Sequence, residues 1–493
     1  VSSPVVENGT FLSNTIFPTI GYKESSELDM NEARKEYGLP PKPRTAAVYD
    51  SAALMNTYIS KDADWIRFEA TVSTDEGQTA IAPGYLQKEW KKDGRQYFSY
   101  KMDSPILNFY SFLSARYQVK RDRWQDVNIE IYYQKGHEFN LDRMIRSIKK
   151  ALDYYTVNFG PYQHRQVRII EFPLYASFAQ SFPNTIPFSE SIGFIMKVDD
   201  KDPEKIDLPF YVTAHEVAHQ WWAHQVIGGD VQGSPLMSET MSQYCALMVM
   251  EKEYGRDNMR KFLKTEMDNY LRSRSFEYRG ELPLMLCENQ QYIHYNKGSV
   301  VMYALRDFLG EDRLNAALKA YLNKNKFAGP PYTNSVEFVS YIRQATPDSL
   351  QYIITDLFER ITMYENYVKA LDYKKLPDGC YKVILTAGSA KFYADSLGNL
   401  KRTAVNDYMD VGIFAKDGKK ERPLLMQRVK MDAPEKKFEF VVKEKPVSAG
   451  VDPYLKLIDR TPDNNNCRFG EKPVEPKLKE GTDGFNFEFK LGN

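Results

Sequence analysis

Histidine is scarce in this chain, with six among 493 residues, so any pattern among the histidines carries information. Cysteine is scarcer still. Cys245, Cys287, Cys380 and Cys467 are widely spaced and form no C-x-x-C pair, which excludes a dense disulfide framework. Cys245 lies in an apolar helical run, where buried free thiols are common. Cys380 and Cys467 could pair if one C-terminal domain holds both, and the compartment stays open. Net charge is absent: Lys+Arg and Asp+Glu are both 66, which removes the electrostatic case for nucleic acid. Mixed runs such as Lys88–Asp93 read as solvated surface. No run approaches the roughly 18 apolar residues that a membrane span needs. A starting Met and a signal-peptide pattern are also missing, so the sequence is expected to be a processed product or a piece of something longer. There is no internal repeat and no low-complexity tract.

What is present suits a folded protein. Apolar residues make up 42% and charged residues 27%, and the length allows two to four domains with ample core. Tyr is frequent, at 34, within an aromatic content of 14%. That suits β-rich surfaces and clefts for peptides or sugars without choosing between them. Asn8-Gly9-Thr10 fits a glycosylation acceptor and is read as a chance match.

The pattern changes twice along the chain. Residues 1–136 read as an N-terminal β domain: a helical patch at Met30–Lys35, a stop at Pro40-Pro41, then alternation at Trp65–Val72, Tyr97–Tyr100 and Val127–Tyr133. Residues 137–366 turn helical. Met144, Ile148, Leu152 and Tyr155 repeat at helical spacing between Leu141 and Phe159, and Gly160-Pro161 stops them. A strand follows at Val167–Phe172, then helices near 208–225, 238–254, 256–272, 297–309, 311–324, 334–344 and 348–360. Alternation returns over 367–475, at Tyr381–Leu385, Met409–Phe414 and Lys437–Val442, which fits a small β-sandwich. Residues 476–493 form a polar tail. The expected class is multidomain α+β.

Half of the histidines fall between 215 and 224, and two of those three lie in His215-Glu216-Val217-Ala218-His219. This is H-E-x-x-H, with two histidines four apart on one helix face and Glu216 bordering it. The geometry suits one zinc ion held by two imidazoles, with a carboxylate positioned to take a proton from the metal's water. His224, nine residues from His215, points to the opposite face and reads as structural. A catalytic zinc usually takes a third protein ligand. Glu239, in a helix's first turn, is favoured over Asp230 in the intervening loop because a helix places a side chain more firmly.

With this arrangement the chain resembles the aminopeptidase N family of zinc peptidases, the gluzincins, which pair H-E-x-x-H with a Glu on the next helix. The family's usual gap is eighteen residues; here Gln220 to Ser238 is nineteen, and the glycine-rich Gly228–Gly233 loop can absorb one more. The resemblance implies further roles. Glu190, in Pro187-Phe188-Ser189-Glu190-Ser191, would bind the substrate's free amino terminus. Tyr295, in Tyr295-Asn296-Lys297-Gly298, would donate to the oxyanion, and Tyr292 and His294 would line or pack. It also implies a shortened saddle-like N-terminal β domain, a thermolysin-like catalytic domain and a β-sandwich. The Trp221-Trp222 pair and the Val451–Arg460 stretch are similar to a bacterial branch fused behind an ABC-transporter-permease-like membrane region, to which this portion would be tethered.

The reading is therefore a zinc-dependent aminopeptidase acting on peptides, with zinc on His215, His219 and Glu239, Glu216 as general base, Tyr295 as oxyanion donor and Glu190 at the amine. Two alternatives stand beside it. One is a zinc hydrolase of a non-peptide substrate such as an epoxide. The other is a non-catalytic peptide-binding or transporter-accessory domain.

Overall fold

A computed structural model describes residues 4–18, 27–60, 63–200, 202, 205–418 and 420–476. From residue 477 onward, the expected polar tail lies outside the described residues. The protein is a multidomain α+β chain with an N-terminal β region, a central helical region and C-terminal β sheets. It divides into two compact units. The first holds residues 1–250 and 312–345, the second residues 251–311 and 346–493.

In the first unit, the sheet that matters for function is mixed. Gln118–Trp124 pairs antiparallel with Val127–Tyr133, and Gln166–Phe172 and Thr185–Ser189 then add in parallel. Every residue of the last two strands is buried. The helix Leu141–Phe159 makes the crossover that a parallel pair requires. Its Met144, Ile148, Leu152 and Tyr155 stripe is fully buried, and Gly160 ends it at φ 120.

Between the two parallel strands the chain reverses on itself. The Gln180 amide donates to the Pro187 carbonyl at 3.0 Å and the Phe182 amide to the Thr185 carbonyl at 2.9 Å. Pro183 and Asn184 make the turn, with Asn184 in the left-handed region at φ 48, the pairing a tight turn of this kind favours. Residues 178–182 thus run antiparallel beside Thr185–Ser189 as an outer arm held by isolated bridges. The inward backbone groups of 180 and 182 are used by the hairpin, and those of 179 and 181 face the other way.

In the second unit, two four-stranded antiparallel sheets share one core. The first contains Ile361–Lys375, Tyr381–Ala394, Leu400–Thr403 and Glu435–Val442; the second contains Lys420–Met431, Asp407–Asp417, Ser448–Val451 and Asn466–Arg468. Val368, Leu385 and Ala387 of one sheet pack with Met409, Val411 and Val451 of the other. Two sheets meeting over interdigitated apolar faces are a sandwich. All four cysteines are free, so Cys380 and Cys467 are not joined.

Three expected elements differ. The helix from Leu208 stops at Ala218, seven residues early. The helix expected at 348–360 is continuous from 348 to 359 but uneven, with a tight helical turn at Asp348–Leu350, α spacing at Gln351–Ile354 and a wide turn at Thr355–Glu359. The strand from Trp65 to Val72 is broken into Trp65–Ile66 and Glu69–Asp75, because the Phe68 carbonyl leaves the ladder to accept the Met102 amide at 3.0 Å.

Candidate metal centre

The helix Leu208–Ala218 is fixed at its start and along one side. Asp207 caps it by accepting the Phe210 amide at 3.1 Å, and Pro209 in the first turn suits a position whose amide has no helical partner. Two hydroxyls of the crossover helix reach its carbonyls one turn apart: Ser147 to Phe210 at 2.7 Å and Tyr155 to Ala214 at 2.9 Å. The helix ends where Trp221 and Trp222, both fully buried, begin to set the chain's path. The Trp221 indole donates to the Gly160 carbonyl at 3.0 Å. His219 occupies the final helical position at φ −58, ψ −20, and its amide still donates to the His215 carbonyl. The four-residue stagger is kept, and the two Nε2 atoms lie 3.0 Å apart.

Glu239 joins them from a wide turn, Leu236–Thr240, that opens into the helix Met241–Tyr254. Such a turn carries one residue more than the α spacing and rotates the side chains before it. Glu239 Oε2 stands 3.5 Å from His215 Nε2 and 3.2 Å from His219 Nε2. Asp230 is not in this group; its amide is tied to the carbonyls of Ala53 and Asn56 in the loop.

The donor set fits zinc. Ligand distances of about 2.0–2.1 Å in a tetrahedron require donor atoms about 3.3–3.4 Å apart. The observed 3.0, 3.2 and 3.5 Å bracket that edge. Two imidazoles and one carboxylate form a recognised catalytic zinc set that leaves a fourth position open. His219 Nδ1 lies 3.0 Å from the Trp222 carbonyl, which places a ring proton there and leaves Nε2 facing Glu239. Burial opposes ionisation of Glu239, but His219 and His215 outweigh it and hold its carboxyl well below the usual range. Burial also opposes a charged His219, yet Glu239 holds that imidazole up at about 9, whereas burial pushes His215 down. The cluster already keeps a positive charge beside an ionised carboxylate, the pairing that a cation would satisfy.

Glu216 is buried at 5% exposure beside this cluster. Burial pushes its carboxyl up to about 8. Its Oε2 has no hydrogen-bond partner. A buried carboxylate with an open oxygen is equipped to accept a proton.

Comparison with known proteins bears on this segment directly. Residues 139–358 match the peptidase family M1 domain. Among curated relatives, Probable aminopeptidase 1 of Sulfurisphaera tokodaii is 26% identical over 195 residues, 37% of this chain and 24% of that protein. Endoplasmic reticulum aminopeptidase 2 of Homo sapiens is 24% identical over 207 residues, 40% of this chain and 21% of that protein. The chain thus spans a quarter or less of the length of these relatives. The crystal structure of Legionella pneumophila aminopeptidase A in complex with aspartic acid shares the fold, with a TM-score of 0.54 over 80% of this chain and 44% of that one, at 15% identity. The likeness to the M1 domain is thus confined to residues 139–358, and the solved structure shows the fold alone.

Within the M1 segment the other expected site residues have their own surroundings. Glu190 follows the buried strand Thr185–Ser189. Its Oε1 accepts the Leu174 amide at 2.9 Å, and its Oε2 accepts the Asn8 side chain at 3.3 Å and lies 4.0 Å from His137. With His137 and Glu171 it forms a second group of potential donor atoms, separate from that of His215, His219 and Glu239. Glu171, nearly fully buried, bonds to His137 and accepts the Gln134 amide at 2.6 Å. Burial raises the Glu171 carboxyl to about 7. Tyr295 belongs to the second unit, on the wide helical turn Tyr292–Lys297, with its ring 4.7 Å from that of His294. Lys297 beneath it is buried and pairs with Glu281 at 3.1 Å, and Arg274 bonds the same carboxylate. Tyr292 hydrogen-bonds Glu277 at 2.7 Å. Sequence reading missed a contact behind the ligands, where Tyr211 donates to Gln243. Spacing held the signal: Gln243 is four after Glu239 and Tyr211 four before His215, so each shares a helix face with a candidate ligand.

Proposed function

We propose that this chain is a zinc-dependent aminopeptidase of the M1 family, removing N-terminal residues from peptides. The observation that carries the reading is the convergence of His215, His219 and Glu239 within 4.8 Å of one another beside the buried carboxylate of Glu216. A zinc ion held there supplies Lewis acidity, acidifying water to a pKa of about 7 and polarising a carbonyl. The chain's own groups do the rest. Glu216 takes the proton through its open oxygen and returns it to the leaving amine. Tyr295 donates to the developing oxyanion. Glu190 anchors the free amine, a role for which it would have to exchange its bonds to Leu174 and Asn8 for one to substrate.

The proposal includes the division at 1–136, 137–366, 367–475 and 476–493, and the tethering to a permease-like membrane region that the bacterial branch implies. No described helix is long and apolar enough to cross a membrane.

The test is a panel of aminoacyl chromogenic substrates, free and N-acetylated, with and without chelator. Cleavage of the free series only, abolished by chelator and restored by zinc, is expected. Equal cleavage of acetylated and free substrates would replace the exopeptidase with an endopeptidase on the same residues. No cleavage at all, with metal bound, would favour a binding domain. Tyr295→Phe is expected to lower kcat by about 10²-fold or more with KM little changed. A change confined to KM would assign Tyr295 to substrate binding.

A further inference from the structure

One stretch of chain addresses both ring nitrogens of His219. Glu239, in the wide turn Leu236–Thr240, places Oε2 at 3.2 Å from His219 Nε2. Ser242 lies three residues on, in the first turn of the helix Met241–Tyr254, and its Oγ is 3.0 Å from His219 Nδ1. Residues three apart in a helical segment share a face, so the carboxylate and the hydroxyl reach the same ring and meet its two nitrogens. A third neighbour settles which atom donates. The Trp222 carbonyl, 3.0 Å from Nδ1, can only accept, so Nδ1 carries a proton. Ser242 Oγ therefore accepts from the same N–H, and the neutral ring has its lone pair on Nε2, where a metal needs it. Ser242 is fully buried and His219 is 8% exposed, so bulk water does not compete for this bond. A second tie joins the same two elements one residue further on, from the Tyr211 hydroxyl to Gln243.

We infer that Ser242 is a positioning residue for the metal centre, fastening the ligand His219 to the helix that follows the ligand Glu239. This rests on His215, His219 and Glu239 being the zinc ligands, as proposed above. His219 is the ligand that needs such a tie. His215 lies within the helix Leu208–Ala218, whereas His219 is the cap that ends it. A cap has helical backbone on one side only, so its ring takes support from outside the helix. The Trp222 carbonyl is three residues away on the same segment and would travel with it. Ser242 is the contact that reaches across from the element of the third ligand. The edge between His219 and Glu239 is thereby set before an ion arrives, which lowers the ordering cost of binding. Ser242 acts through the imidazole and is not itself one of the clustered donors.

The experiment compares the zinc Kd of the whole chain with those of Ser242→Ala and Ser242→Thr, by competition with a chromophoric chelator. Hydrogen-bond partners of a ligand typically contribute about 10–100-fold in metal affinity. The Trp222 carbonyl remains in both variants, so Ser242→Ala is expected at the lower end, with Kd raised about 10-fold through faster release of zinc. Ser242→Thr keeps a hydroxyl and should recover most of the loss. Melting in excess chelator reads packing separately: metal-free Ser242→Ala should melt as the parent does, and the two should part only when zinc is added. A parental Kd in Ser242→Ala would overturn the proposal. So would a raised Kd accompanied by a lowered metal-free midpoint and no recovery in Ser242→Thr, which is the mark of a packing role. A raised Kd with an unchanged metal-free midpoint supports the proposal whether or not the extra methyl of Thr is accommodated. None of these readouts needs turnover. If the protein binds zinc but cleaves no aminoacyl substrate, the peptidase reading fails and the comparison still decides Ser242. If the parent and His219→Ala bind zinc alike, the metal centre is misplaced and the proposal falls with it.

Discussion

Glu216→Gln is expected to bind zinc as the unsubstituted protein does and to lose about 10²–10⁴-fold in turnover. The substitution changes almost nothing but proton affinity. The amide has the carboxylate's shape, so the packing around a side chain only 5% exposed is preserved. Glu216 is not one of the three clustered donors, so the metal should stay. Burial raises the Glu216 carboxyl, which means that holding it ionised costs stability once pH passes the ordinary carboxylate range. A neutral amide removes that cost, and the variant should melt no lower than the parent at neutral pH. Turnover close to wild type would end the mechanism, and loss of zinc would move Glu216 into the ligand set.

His219→Ala should act at the other level, on the metal itself. Three donors with edges of 3.0, 3.2 and 3.5 Å become two, and the pair that remains, His215 and Glu239, leaves half of a tetrahedron to solvent. Loss of an outer-shell partner alone typically costs 10–100-fold in affinity, so loss of a ligand should cost at least about 10²-fold. Metal analysis after dialysis should find about one equivalent in the parent and a small fraction of that in the variant. A second readout follows from mass action. Zinc at 100 times its Kd stabilises the native state by about 2.7 kcal/mol. Chelator should therefore lower the melting midpoint of the parent and leave that of His219→Ala unmoved. Equal zinc in both proteins would show that the ion sits elsewhere.

The centre of this site was legible in the sequence because its chemistry is local. His215 and His219 are four residues apart, and a helix of any stability places them on one face. Glu239 required only that a second helix begin nearby. The bounds of Leu141–Phe159 were legible too, since the apolar stripe and Gly160-Pro161 leave one solution. What the sequence did not reveal depends on pairing across distance. The early stop at Ala218 comes from the burial of Trp221 and Trp222, which look helical in isolation. The wide turns at Leu236–Thr240 and Tyr292–Lys297 have no compositional mark. The hairpin around Pro183-Asn184 had a signal in that dipeptide, but its arms are short and mix apolar with polar residues, so periodicity marked neither. Without the hairpin, the bond from His224 to the Ser181 carbonyl could not be foreseen. Glu190 was placed by resemblance alone, and sequence gave no hint that Asn8, His137 and Glu171 gather around it.

The first compact unit is discontinuous, and that sets an order of events during synthesis. The loop after the second histidine is closed by chain that comes much later. The Gln225 carbonyl accepts the Phe327 amide, Gly229 donates to Thr333, Leu54 accepts from Tyr332, and the Trp65 indole reaches the Ala328 carbonyl. At roughly 5–20 residues per second, the ribosome takes about 4–17 s to travel from Met250 to this strap. In that interval the donors of the candidate metal centre are complete in sequence while the unit that encloses them is not. The nascent chain thus passes through a stage in which His215, His219 and Glu239 exist without their final enclosure, and the last turn of the lock belongs to residues 327–333.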